Sequence, residues 1–124
     1  MGKFEQTILC IDDDNDTCQL IEYMFKQTNY EVASCLMADE GLEKAKKGGY
    51  SAVILDNWLA GTNGVEICKK IRFFDTRTPI IFFSGEARPK ERQKAIEAGA
   101  NEYLIKPNDL DTLTQTVIDL IEKQ

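Results

Sequence analysis

The chain has 124 residues, 43% of them hydrophobic and 29% charged, with a formal net charge of −6. That length fits one domain able to bury its own core, and the acidic balance counts against a nucleic-acid or anionic-membrane partner. The chain has no histidine and no C-x-x-C pair, which counts against the usual zinc sites and removes the commonest general base.

Met1–Gln6 has no apolar signal core, and no apolar run reaches the ~20 residues of a membrane span. The first strand is expected at Thr7–Ile11, an unbroken apolar run, and Asp12, Asp13 and Asp14 follow it. A helix over 16–27 places Leu20, Ile21, Met24 and Phe25 on one broad face. Glu31–Cys35 reads as the second strand, and Ala38, Leu42 and Ala45 as the stripe of a helix over 38–47 that Gly48-Gly49 ends. The third strand is Ala52–Leu55, with Asp56 after it, and the helix over 64–73 carries Ile67, Cys68 and Ile71. Pro79 sits at the start of the fourth strand, Ile80–Phe83, and Ser84-Gly85 follows. A helix over 87–98 sets Ala95, Ile96 and Ala98 near one side and stops at Gly99. Tyr103–Ile105 is the fifth strand, followed by Lys106-Pro107. The last helix, 109–122, gathers Leu110, Leu113, Val117, Leu120 and Ile121, with Asn108 or Asp109 as its cap. Cys10, Cys18, Cys35 and Cys68 each lie in an apolar stretch and read as reduced, buried small residues, which suits a reducing, cytoplasmic setting.

Strands apolar throughout are covered on both faces, as in parallel sheets, and helical crossovers between parallel strands are right-handed. The order βαβαβαβαβα therefore predicts a single domain over 1–124, a flavodoxin-like doubly wound (βα)5 fold. Its five-stranded parallel sheet would run in the order 2-1-3-4-5. In that order the first, third, fourth and fifth strands are neighbours, ~4.8 Å apart, and each delivers a polar group at its carboxyl end, where ligands bind in open α/β sheets.

Asp12, Asp13 and Asp56 crowd three carboxylates into one cleft, which calls for a proton or a cation. Oxygen ligands alone favour a hard ion, Mg²⁺ or Mn²⁺. Lys106 adds positive charge and Ser84 a hydroxyl. Together these are the parts needed to transfer a phosphoryl group to a carboxylate. Taken singly, each residue has a plainer reading: Asp14 or Asn15 as a helix cap, Lys-Pro and Ser-Gly as turns. The joint arrangement on four strand ends favours the functional one.

On Ile11-Asp12-Asp13-Asp14, Ile54-Leu55-Asp56, Asn63-Gly64, Ile81–Gly85, Gly99-Ala100 and Tyr103–Pro107, the chain resembles the CheY-like receiver domain of two-component response regulators over essentially its whole length. The resemblance implies that Asp56 accepts a phosphoryl group from the phosphohistidine of a histidine kinase or histidine phosphotransfer protein. It implies Mg²⁺ held by Asp13, Asp56 and the main-chain carbonyl of Trp58, with Asp12 acting through a metal-bound water. Ser84 and Lys106 would bind phosphoryl oxygens, Tyr103 would turn inward when the switch is on, and the Lys106–Pro107 bond would be cis. Trp58 and Glu86 stand where the family tunes hydrolysis of the phosphoryl group. Phosphorylation would remodel the face made by the fourth helix, fifth strand and fifth helix, through which receivers also often pair as homodimers. With the chain ending one helix after Lys106-Pro107, output is expected by binding a protein target. Ala60, Asn63 and Asn108 depart from the family's usual proline, aspartate and aromatic at those places.

A receiver-like interaction module that does not switch is the alternative reading. A phosphatase of the haloacid dehalogenase type would need Asp12-x-Asp14 as its catalytic pair, and a flavin mononucleotide carrier would set three carboxylates against the cofactor phosphate.

Overall fold

The computed structural model describes residues 6–123, so the reading of Met1–Gln6 falls, apart from Gln6, outside the described residues. Five strands form the main sheet: β1 (Gln6–Ile11), β2 (Tyr30–Cys35), β3 (Tyr50–Leu55), β4 (Ile80–Ser84) and β5 (Glu102–Ile105). Between and after them come α1 (Asn15–Phe25), α2 (Ala38–Lys47), α3 (Gly64–Phe74), α4 (Pro89–Glu97) and α5 (Leu110–Glu122). All neighbouring pairs are parallel, and the strand order is β2-β1-β3-β4-β5, the expected 2-1-3-4-5 arrangement.

Period-two alternation along the strands divides the core into two layers. Leu9, Ile11, Val53, Leu55, Ile80 and Phe82 meet α2, α3 and α4 through Ala38, Ala45, Ile67, Cys68, Ile71 and Ala95. Ile8, Cys10, Ala52, Ile54, Ile81 and Phe83 face the other way, onto Cys18, Ile21 and Phe25 of α1 and Leu113 and Val117 of α5. Each fully buried Leu, Ile or Phe contributes about 1.5–3 kcal/mol, so β1, β3 and β4 anchor the molecule from both sides. Gly41 lets α2 close on β1, since a Cβ there would stand 2.6 Å from Ile11 Cδ1. All four cysteines are buried free thiols, and burial pushes Cys68 up to about 11, away from reactivity.

Three local expectations change. Leu20 is 42% exposed, because the inner stripe of α1 runs through Cys18, Ile21 and Phe25. Helix α4 starts at Pro89 rather than 87, and of its residues Ala95 alone is fully buried, while Ile96 is 38% exposed. The loop after Asp56 carries a small antiparallel hairpin, Trp58–Leu59 against Thr62–Asn63. Two-residue strands are too short to leave a periodic signal. Among the described residues, no helix is long and apolar enough to cross a membrane.

Candidate functional site

The backbone ladder runs one residue past the strand ends. The Asp12 N–H donates to the Cys35 carbonyl at 3.1 Å, Asp56 to Ile11 at 3.1 Å, and Lys106 to Ser84 at 2.9 Å. These bonds hold three functional residues on the rigid sheet rather than on free loops. Gly64, at the start of α3, lies against the same edge. An added Cβ would collide with the Asp56 carbonyl oxygen and stand 2.7 Å from Phe82 Cε2.

Ligand oxygens of Asp12, Asp13 and Asp56 lie within 4.8 Å of one another. Asp12 and Asp56 are buried and Asp13 is exposed. Lys106 Nζ donates to Asp12 Oδ2 at 2.9 Å and stands 3.6 Å from Asp56 Oδ2. It also lies 5.7 Å above the Phe83 ring. Burial alone would lower the Lys106 pKa, but the Asp12 hydrogen bond and the Asp56 charge outweigh it and leave it raised. Asp56 is pushed above the ordinary aspartate value of 3.8, first by burial and then by the Asp12 charge, with Lys106 opposing.

One lysine among three carboxylates leaves this edge short of positive charge. Asp56 Oδ1 is buried and has no hydrogen-bond partner among the described residues. A buried acceptor without a donor is costly, and here it faces a cluster of oxygen ligands. That combination fits a hard divalent cation.

The other expected residues stand on the strand ends and loops of the same edge. Ser84 is fully buried, and its Oγ accepts the Glu86 N–H at 3.2 Å. Tyr103 is turned inward, with its ring stacked on Phe82 at a centroid distance of 5.3 Å and its hydroxyl donating to the Glu86 carbonyl at 2.7 Å. The Lys106–Pro107 peptide is cis. Trp58 is 57% exposed on the hairpin and walls a groove of about 400 Å³ with Glu66 and Lys69 of α3 and Glu91 and Lys94 of α4. Asp14 is exposed, sits at the N-cap position of α1 without a side-chain bond to the helix N–H groups, and accepts the Thr17 hydroxyl at 2.6 Å. Its carboxylate is thus engaged by Thr17 and not paired with that of Asp12, which it meets only through its main-chain N–H, at 2.9 Å from Asp12 Oδ1.

Sequence reasoning missed three groups. Arg88 grips Glu86 with its Nε at 2.8 Å and Nη2 at 2.9 Å, and this pairing holds the Glu86 carboxyl below its usual range. Asn57 is buried beside Asp56 and accepts the Val65 N–H at 3.3 Å, joining the strand end to α3. The Ala60 N–H donates to Asp13 Oδ2 at 3.1 Å. The spacing of two between Glu86 and Arg88 was visible in the chain, whereas the other two pairings had no local signal.

A family model described as the response regulator receiver domain matches residues 8–118. The response regulator ArlR of Staphylococcus saprophyticus is 32% identical over 117 residues, covering 94% of this chain and 53% of the relative. The chain thus spans about half the length of the curated relatives it matches. A two-component response regulator from Clostridium difficile superposes with a TM-score of 0.88 at 27% identity, covering 95% of this chain and 97% of that one. The receiver domain of the sensor histidine kinase PA1611 from Pseudomonas aeruginosa gives 0.84 at 27%, covering 94% and 98%, and in that structure a magnesium ion is coordinated in the active-site cleft.

Proposed function

Because the chain belongs to the response regulator receiver domain family, we propose that it is a phosphoacceptor switch, not a turnover enzyme, in which Asp56 receives a phosphoryl group from the phosphohistidine of a histidine kinase or histidine phosphotransfer protein. The observation that carries this reading is the unpartnered, buried Asp56 Oδ1 beside two further aspartates and one lysine.

In the reaction an Asp56 oxygen attacks phosphorus in line. The P–N bond to the donor imidazole breaks with its electron pair left on nitrogen, and an aspartyl phosphate forms. Lys106 keeps its proton throughout, since Asp12 and Asp56 both hold it, and it places positive charge beside the incoming group. The Ser84 hydroxyl, on the neighbouring strand end, donates to a phosphoryl oxygen. Asp13, Asp56 and the Trp58 carbonyl, with Asp12 through a water, would hold Mg²⁺ or Mn²⁺. When bound, the ion supplies neutralisation of charge on the phosphoryl oxygens.

The added charge then biases the face made by α4, β5 and α5. Helix α4 has Ala95 as its one fully buried residue and reaches β5 through the Arg92–Glu102 ion pair at 3.7 Å. Tyr103 links it to the site, since its hydroxyl is bound to the carbonyl two residues beyond Ser84. That face is the proposed surface for a downstream protein and for homodimers. Exposed Trp58 and the Glu86–Arg88 pair are the proposed modulators of hydrolysis, Glu86 acting with its charge already met by Arg88. A cytoplasmic setting follows from the family reading.

Incubation with acetyl phosphate and Mg²⁺, read by intact mass, tests the proposal. One phosphoryl adduct is expected on the wild-type chain and none on Asp56→Asn. An adduct that survives the substitution, or a wild-type chain that never gains one, sinks the phosphoacceptor assignment; the second result leaves the non-switching module.

A further inference from the structure

We propose that the Ala60 main-chain N–H is a positioning group for Asp13, fixing that carboxylate at the mouth of the acidic pocket and tying it to the hairpin that carries Trp58. The proposal rests on the cation-binding reading of the pocket given above.

Asp12 and Asp56 are buried and held by the sheet, but Asp13 is exposed. An exposed aspartate otherwise rotates freely into water. Among the described residues, what restrains it is one hydrogen bond, from the Ala60 N–H to Oδ2 at 3.1 Å, across 47 residues of chain. The hairpin explains why that donor is available. Trp58 pairs with Asn63 and Leu59 with Thr62, so Ala60 and Gly61 are the two central residues of the turn. Gly61 has φ of 78°, and among the described residues none other than glycine has positive φ. Negative φ followed by positive φ is a type II turn, whose closing bond uses the first carbonyl and the fourth N–H. The N–H of the second residue, Ala60, is left over, and Asp13 accepts it.

The consequence concerns two candidate ligands. The Asp13 carboxylate follows β1, and the Trp58 carbonyl belongs to the hairpin. The Ala60 bond joins those two elements and sets their spacing before any cation arrives. It also occupies one Asp13 oxygen, Oδ2. A hydrogen bond to a ligating carboxylate fixes its orientation, and its loss typically weakens metal binding.

Ala60→Pro deletes the N–H and keeps the turn, because proline suits the second position of a type II turn. Ala60→Gly retains the N–H. By calorimetry, the Mg²⁺ Kd of A60P is expected to rise about tenfold, the lower edge of the range for such supporting contacts, while A60G stays at the wild-type value. In the wild-type chain the Ala60 amide is expected to remain protected from hydrogen exchange as Mg²⁺ is added, a readout that needs no variant to fold. Equal Kd in A60P and wild type overturns the proposal. So does loss of Ala60 protection on Mg²⁺ binding, which would make the bond a competitor of the ion. A wild-type chain that gives no Mg²⁺ binding heat refutes the pocket reading itself, and is distinguished from failure of the Ala60 proposal because in the latter case wild type and A60P both bind, with equal Kd.

Discussion

The two oxygens of Asp56 live in different surroundings, and the reading of the site turns on that difference. Oδ2 has Lys106 Nζ at 3.6 Å, whereas Oδ1 is buried with no hydrogen-bond partner among the described residues. The sign of the resulting pH dependence follows directly. A folded-state pKa above the ordinary 3.8 means that the folded chain holds the proton more tightly than the unfolded chain does. The stabilising contribution is full below 3.8 and is lost as pH rises through the folded pKa, so at neutral pH the ionised Asp56 works against the metal-free fold. Asp56→Asn is therefore expected to raise the melting temperature in chelator at pH 7 by roughly 3–5 °C, the scale of about 1 kcal/mol for a chain this size. The difference should close as the pH is taken below the aspartate range, and calorimetric scans against pH check both halves. Lys106 carries the opposite duty. Removing it as Lys106→Met leaves buried Asp12 without its cation, and a loss of about 2–4 kcal/mol in urea unfolding is expected without Mg²⁺.

Elements, more than single residues, bring the site to its working dimensions. The start of α3 is pressed onto the end of β3, where Asn63 caps the helix by accepting the Glu66 N–H at 2.9 Å and Gly64 leaves no room for a side chain. Gly64→Ala has to push the Asp56 backbone or Phe82 aside. A destabilisation of about 1–3 kcal/mol, the usual scale of overpacking, is expected by urea unfolding, with slower acetyl phosphate labelling of Asp56. The far end of α3 is secured by Arg72, whose guanidinium donates to the carbonyls of Gly99, Asp75 and Thr78 and to Asn101 Oδ1, all at 2.8–3.0 Å. Arg72→Ala should cost about 2–3 kcal/mol, because three backbone acceptors lose a charged donor at once. Helix α4 contrasts with α3, since one alanine is its only fully buried residue. Hydrogen exchange is expected to be fastest in α4 among the helices, which suits an element that changes place when the site changes charge.

At the scale of the whole molecule, a sheet covered on both faces makes a stiff base, and its strand order sets the donors of β1, β3, β4 and β5 side by side. Binding at that edge feeds into global stability. Mg²⁺ at about 100 times its Kd should add about 2.7 kcal/mol by linkage, seen as a higher melting temperature that chelator reverses and Asp56→Asn lacks. Much of this architecture was legible in the chain. Fully apolar runs such as Ile80–Phe83 marked strands buried on both faces, Leu113 and Val117 marked the inner stripe of a helix, and Gly48 and Gly99 marked helix ends. Strand order and crossover handedness then placed Asp12, Asp56, Ser84 and Lys106 on one edge. Periodicity can do this because it records which face of a segment avoids water, and that is a local property. It carries no record of which remote groups a side chain meets. The hairpin after Asp56, the inward Tyr103 on the Glu86 carbonyl, the Asn57 tie to α3 and the Ala60 N–H on Asp13 depend on segments brought together by the fold. So does the one fact on which the site most depends: burial strips water from Asp56 Oδ1, and among the described residues no hydrogen-bond partner meets it.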